Sequence, residues 1–255
     1  MKITFLGTGT SQGVPVIACD CVVCRSTDFH DKRLRTSVWI QVHGKSFVID
    51  TGPDFRQQML RANVRELDAI IYTHQHKDHT AGLDDARAFN HRHGKDIPLY
   101  GRQEVLSQIQ VEFAYAFQEK RYPGVPHFEL HPIENKPFEV QGITFTPIEV
   151  MHYKLAVYGY RIGDFTYITD ANYISEIEQE KIAGTRVLVL DTLQKEPHLS
   201  HFTLSQALEL IDKLSVPMAY LTHISHRLGL HAEVEKELPP NVRLAYDGLV
   251  LELED

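Results

Sequence analysis

The stretch that decides the fold is His74-Gln75-His76-Lys77-Asp78-His79, HQHKDH. It follows the apolar run Leu67-Asp68-Ala69-Ile70-Ile71-Tyr72, which reads as a buried strand over 68–73. Three imidazoles and a carboxylate therefore lie on a loop at the C-terminal end of a strand, where a rigid sheet can position a site. In extended backbone, residues i and i+2 point the same way, so His74 and His76 can grip one ion. Asp78 and His79 diverge and can grip a second. Neutral imidazole and carboxylate suit zinc, manganese and iron.

The same feature recurs downstream. His152 follows a strand-like run ending at Val150, Asp170 ends Tyr167-Ile168-Thr169, and His223 ends Tyr220-Leu221-Thr222. One polar residue at the end of an apolar strand is ordinarily structural; four strand ends of the same kind point to a shared site. The resulting assignment is His74, His76 and His152 on one ion, Asp78, His79 and His223 on the other, and Asp170 bridging both.

Around these loops the pattern is that of a layered α/β protein, read as one domain over 1–255. Ile3 and Phe5 alternate toward Gly7-Thr8-Gly9-Thr10. Strands at 37–42 and 46–50 flank the hairpin signal His43-Gly44-Lys45. Helices are expected at 54–63, 82–95, 102–120 and 175–182. Thr203-Leu204-Ser205-Gln206 has capping-box form ahead of a further helix. Strands are expected at 143–150, 155–162, 165–169, 187–190, 219–222 and 249–253. Arg33 and Arg35 could attract an anion but read by default as a solvated face, and Tyr158 and Tyr160 read as packing.

Composition narrows the class. The 255 residues are 43% hydrophobic, enough for a sizeable core, and carry a net charge of −8 with histidine neutral. An acidic surface argues against a stable complex with nucleic acid, whose phosphates attract Lys and Arg. No apolar run approaches the roughly 18 residues of a membrane span, and the opening MKITFLGTGTSQG lacks the order of a signal peptide. The 3 cysteines all fall in Cys19-Asp20-Cys21-Val22-Val23-Cys24. Such clustering suits a metal better than disulfides, and reduced thiols suit the cytoplasm. Structural zinc takes four ligands; His226, three residues past His223, is the candidate fourth.

HQHKDH resembles the HxHxDH signature of the metallo-β-lactamase superfamily, and His152, Asp170 and His223 resemble its later ligand motifs in order and spacing. The resemblance covers essentially the whole chain. It implies an αββα sandwich with a dinuclear site of zinc or manganese along one edge, and an orienting role for Asp50. GTGTSQGVPVIACDCVVC with LTHISH is similar to the PhnP-type phosphodiesterases, near the ribonuclease Z group. There a CxCxxC and a late histidine hold a structural zinc, matching Cys19, Cys21, Cys24 and His226. His201, in His201-Phe202-Thr203-Leu204, resembles a histidine of that branch assigned to acid catalysis or phosphate contact and is the candidate proton donor; His198 is the fallback.

The expected activity is hydrolysis of a small, cyclic or nucleotide-like phosphodiester by a hydroxide bridging the two ions, with Asp78 and His201 as catalytic residues. A thioesterase or lactonase on the same ligands, or a non-catalytic PqqB-like metal-binding protein, are the alternatives. A tRNA endonuclease would need a projecting basic arm, and none is visible. Hydrophobic edge strands suit a homodimer.

Overall fold

The opening run KITFLG forms β1 (Lys2–Gly7), and the cysteine stretch contains a single helical turn, α1 (Val22–Arg25). The hairpin signal is realised in β2 (Ser37–Val42) and β3 (Lys45–Ile49), antiparallel with Val42 opposite Lys45. His43 and Gly44 sit at φ 48° and 74°, the positive values that a two-residue primed turn requires. The computed structural model describes residues 1–118 and 123–254.

The chain divides into two compact units. The first comprises Met1–Leu6, Ser37–Glu134 and Val250–Asp255. After β3 come α2 (Phe55–Arg61), β4 (Ala69–Ile71), α3 (Lys77–Thr80), α4 (Arg87–His93), β5 (Ile97–Gly101), α5 (Gln103–Glu112) and β6 (Phe128–Pro132). These strands, with β14 (Val250–Glu252), make one seven-stranded sheet in the order β14-β1-β2-β3-β4-β5-β6. From β3 to β6 neighbours are parallel, so their C-terminal ends share an edge. Phe55, Met59, Leu106 and Ile109 from α2 and α5 pack with Val48, Ile70 and Leu99 of the central strands. Each such side chain contributes about 1.5–3 kcal/mol by leaving water.

Two helices differ from expectation. The segment expected as a helix over 82–95 opens as a 3-10 turn, Leu83–Ala86, before α4 ends on left-handed Gly94. The helix expected over 102–120 stops at Glu112. Phe113 leaves helical geometry (φ −110°, ψ 35°) with its ring in the core, and a 3-10 turn, Ala114–Ala116, follows; residues 119–120 lie outside the described residues.

The second unit comprises Gly7–Thr36 and Asn135–Leu249. Its sheet runs β13-β12-β11-β10-β9-β8-β7. The members are β7 (Phe138–Val140), β8 (Ile143–His152), β9 (Leu155–Ile162), β10 (Phe165–Ile168), β11 (Val187–Asp191), β12 (Met218–Thr222) and β13 (Val242–Leu244). β7 to β10 pair antiparallel and β10 to β13 parallel. β8 and β10 thus point the same way, and the C-terminal ends of β8, β10, β11 and β12 lie along one edge, where open α/β sheets bind ligands. Besides α1, its helices include α6 (Glu176–Ile182), α7 (Leu204–Lys213) and the single turn α8 (His231–Val234). The capping box of α7 is formed: the Thr203 hydroxyl accepts from the Gln206 N–H, and the Gln206 side chain accepts from the Thr203 N–H. Leu204, Ala207 and Ile211 then bury with Leu188, Leu190 and Leu221.

Arg33 departs from its reading as solvated surface. It is buried, and it donates to Thr8 Oγ1 at 2.8 Å, to the Ala245 carbonyl and to His231 Nδ1 at 3.1 Å. Tyr158 and Tyr160 are buried as packing residues. Among the described residues no helix is long and apolar enough to cross a membrane.

Candidate metal centre

Each unit carries a set of metal-ligating side chains at strand ends. In the first, Asp50 follows β3 and His74 lies three residues beyond β4; Ile49 pairs with Ile71. Asp50 is fully buried at φ 64°, a left-handed backbone uncommon for a non-glycine residue. Burial pushes its carboxyl above the usual range, opposed by His79 and Thr73. Its oxygens accept the Thr73 N–H (2.9 Å), the Thr73 hydroxyl (2.8 Å) and His79 Nδ1–H (2.7 Å). With its hydroxyl proton committed to Asp50, Thr73 Oγ1 accepts from His74 Nδ1, 3.0 Å away. The Nδ1 partners therefore turn Nε2 of both His74 and His79 toward ligation. This is the support that metal-binding imidazoles take from carboxylates and hydroxyls behind them.

The donors then converge in pairs. His74 Nε2 lies 3.0 Å from His76 Nδ1, and His79 Nε2 lies 3.2 Å from Asp78 Oδ2. Bonds of about 2.1 Å from one tetrahedral ion would leave its ligands about 3.4 Å apart, so both pairs have chelating spacing. The loop is tied down locally. Thr51 N–H donates to the His79 carbonyl (2.7 Å), and Gly82 N–H donates to the Thr51 carbonyl (2.8 Å). Gly82 allows that approach, since a Cβ there would lie 2.7 Å from Phe55 Cβ.

In the second unit, His152 ends β8, and its Nδ1–H donates to the Ser200 carbonyl at 2.9 Å, leaving Nε2 3.9 Å from Asp170 Oδ1. Asp170 (φ 53°) and His223 (φ 59°) turn out of β10 and β12 in left-handed backbone. Asp170 Oδ2 accepts the Thr169 hydroxyl (2.8 Å) and lies 3.3 Å from His223 Nε2. Such backbone is held only where the surroundings impose it, and it concentrates at functional positions.

His201 belongs to the same cluster. Its ring stacks on His223 at 4.7 Å and lies 4.7 Å from that of His152; its Nε2 is 4.0 Å from Asp170 Oδ1. Its Nδ1 faces Asp191 Oδ1 at 3.1 Å, and Asp191 Oδ2 accepts the Phe202 N–H. Asp191 is fully buried and also lies 3.4 Å from His223 Nδ1. Sequence reasoning did not find Asp191. The available signal was its place at the end of the apolar run Val187–Leu190, the same feature that singled out Asp170. His198 is exposed, with its ring 5.1 Å from that of His201, and partial burial lowers its pKa.

The cysteine site lies wholly within the second unit. His226 Nδ1 is 3.3 Å from Cys19 Sγ, 3.3 Å from Cys21 Sγ and 3.5 Å from Cys24 Sγ. Tetrahedral zinc with bonds of about 2.1 Å to nitrogen and 2.3 Å to sulfur has edges of about 3.4–3.8 Å, so the four donors fit. Two backbone amides complete the knuckle, Cys24 N–H to Cys21 Sγ (3.4 Å) and Val16 N–H to Cys24 Sγ (3.3 Å). The Cys24 amide brings the Cys21 thiol down to about 6, while burial pushes Cys24 up to about 11. The four donors meet because Thr10 N–H bonds to the Ile224 carbonyl (3.1 Å) and Ile224 N–H to the Thr8 carbonyl (2.9 Å), which ties the loop before the cysteines to the loop before His226. Gly9 is needed between them: a Cβ would lie 2.9 Å from both Arg33 Cβ and the Arg33 carbonyl.

Comparison with known proteins agrees with this geometry. The family described as the Beta-lactamase superfamily domain matches residues 45–224. The chain is 42% identical over 253 residues to a protein of Porphyromonas gingivalis named octanoyltransferase, covering 98% of this chain and 51% of that protein. It is 27% identical over 168 residues to ribonuclease Z of Crocosphaera subtropica, covering 64% and 48%. The chain thus spans about half the length of these relatives. Among solved structures, a new diphosphatase from the PhnP family superposes with a TM-score of 0.93 at 41% identity, over 99% of this chain and 98% of that one. Zn(2+)-bound PqqB from Methylobacterium extorquens gives 0.78 at 19% identity over 99% and 100%, a likeness of fold. The chain therefore belongs to the metallo-β-lactamase superfamily and, within it, to the PhnP family. Its two mixed sheets with flanking helices are those of that superfamily's hydrolases, which bind divalent metal ions, as the resemblance in sequence implied.

Proposed function

We propose that the chain is a metal-dependent phosphodiesterase acting on small, cyclic or nucleotide-like phosphodiesters. The observation that carries this reading is His201. An imidazole backed by a buried carboxylate, among donors suited to metal, is what release of a poorly stabilised alkoxide from phosphorus requires. The PhnP-family diphosphatase, whose own name is for phosphorus chemistry, supports it.

The reading takes two divalent ions, zinc or manganese. His74, His76 and His152 would hold one, Asp78, His79 and His223 the other, and Asp170 both. Cys19, Cys21, Cys24 and His226 would hold a structural zinc. When bound, the active-site ions make water more acidic and neutralise phosphate charge. The chain's own residues do the rest. Asp50 fixes the His79 ring. Asp191 accepts from His201 Nδ1, fixing the tautomer and stabilising the imidazolium, as a buried carboxylate does for a catalytic histidine. His201 Nε2 then delivers the proton to the departing oxygen. Asp78, whose carboxylate lies 3.2 Å from His79 Nε2, would serve as a ligand.

A second reading, hydrolysis of an acyl ester or thioester, is favoured by the relative named octanoyltransferase. The two readings separate in one assay. Protein loaded with manganese or zinc is expected to hydrolyse bis(p-nitrophenyl) phosphate, and His76→Ala to abolish turnover. Hydrolysis of octanoyl thioesters alone, with no diester turnover, would sink the phosphodiesterase reading.

A further inference from the structure

A groove on the first unit, lined by no residue assigned to the metal centre, runs along α2 and the segment 85–92. Arg56, Met59 and Leu60 line it from α2, at the i, i+3 and i+4 spacing of one helix face. Ala88, Phe89 and Arg92 line it from α4, Arg92 lying four and three residues beyond the other two, and Arg65 joins the lining. The cavity is about 320 Å³, at the small end of the roughly 300–1,000 Å³ that small-molecule sites span. Its floor is apolar and buried: Phe55 at 0%, Met59 at 7% and Phe89 at 8% exposed.

The rim is cationic. Among the described residues the guanidiniums of Arg56, Arg65 and Arg92 make no ion pair or hydrogen bond, and the one carboxylate in the lining, Asp85, pairs with none of them. Their neighbour Arg87 does find a carboxylate, Asp84 at 3.3 Å. A chain with a net charge of −8 has acids to spare for three more pairs. Instead it gathers three unmatched cations around one apolar cavity. Like charges placed together raise the local potential and favour an incoming anion.

We propose that this groove binds a single-headed amphipathic anion: a medium-length alkyl or acyl chain ending in a carboxylate or a phosphate. The chain would lie on Phe55, Met59 and Phe89, and the head would take bidentate bonds from the arginines, whose planar fork matches both head groups. Volume decides against a larger occupant, since a cavity of this size is filled by a single chain.

The test is calorimetric titration of the metal-loaded full chain with octanoate, octyl phosphate and octanol. The two anions are expected to bind at one site, with octanol at least about tenfold weaker because burial of the chain is then unaided by charge; the stronger anion identifies the head. Arg56→Gln/Arg92→Gln should weaken both anions about tenfold or more, and Met59→Trp, which fills the floor, should remove binding. Both variants should keep wild-type diester turnover and circular dichroism. Octanol binding as tightly as octanoate would overturn the proposal, as would failure of either anion to bind. Binding that survives the groove variants but vanishes in His76→Ala belongs to the metal centre and would overturn it as well.

Discussion

Two aspartates, Asp50 and Asp191, are fully buried at strand ends, and a buried carboxylate is tolerated only when its lone pairs are used. Asp50 uses its oxygens on Thr73 and His79; Asp191 uses its own on His201 and the Phe202 amide. Asp191→Asn keeps the volume but turns one acceptor oxygen into a donor and removes the charge. Loss of such an orienting partner typically costs about 10–100-fold. That loss is expected in kcat/KM for alkyl diesters, with a smaller loss for nitrophenyl diesters, whose leaving group scarcely needs a proton. Equal losses on both substrates would make Asp191 merely structural. His231 makes a different kind of prediction. Burial and the Arg33 guanidinium hold its pKa down at about 4. A histidine depressed in the folded state binds its proton more readily when unfolded. Its contribution to stability is therefore complete above the ordinary value of about 6.5 and is lost as pH falls toward 4. The urea midpoint is expected to drop between pH 7 and pH 5, and to drop less in His231→Asn. An unchanged slope in the variant would remove His231 as the cause.

At the scale of elements, the cysteine knuckle shows how one loop organises another. The Thr8–Thr10 segment and Ile224 bond backbone to backbone, and the four donors follow from that contact. Cys21→Ser removes a soft thiolate from the set, and elemental analysis is expected to find one zinc fewer per chain. Undiminished zinc would mean that these thiols hold no ion. The strands that end in candidate ligands were legible in the sequence because each is a largely apolar run followed by a polar residue: Ile70-Ile71-Tyr72 ahead of His74, Tyr167-Ile168-Thr169 before Asp170. The capping box at Thr203 and Gln206 and the turn at His43-Gly44 were legible because their chemistry is local. β5, β6, β7 and β13 were not. They are three to five residues long, and the strand beside them, rather than their own periodicity, makes them strands. Asp191 escaped for a related reason. Its importance comes from parallel register, which sets Asp191 opposite Thr222, directly before His223. Arg33 escaped because its partners Thr8, His231 and Ala245 are distant in sequence.

At the scale of the whole molecule, charge bears on what the chain can hold. Asp and Glu number 34 against 26 Lys and Arg. A protein that grips RNA displaces counterions from several phosphates, so its affinity falls steeply with salt; a small diester displaces few. The ribonuclease Z of Crocosphaera subtropica matches only 64% of this chain, and the match covers 48% of its own length. The reading of a small substrate therefore predicts a weak salt response. Turnover of a cyclic or nucleotide-like diester is expected to change less than about twofold between roughly 0.05 and 0.3 M salt, since few counterions are released. A tRNA precursor is expected neither to be processed nor to compete with the small diester at about 0.15 M salt, where exposed charges more than about 8 Å apart are screened. Processing at the 3′ end of that precursor, with a rate falling tenfold or more over the same salt range, would show that the chain tracks a phosphate backbone after all. The small-substrate reading would then give way to a nuclease acting on the same ligands.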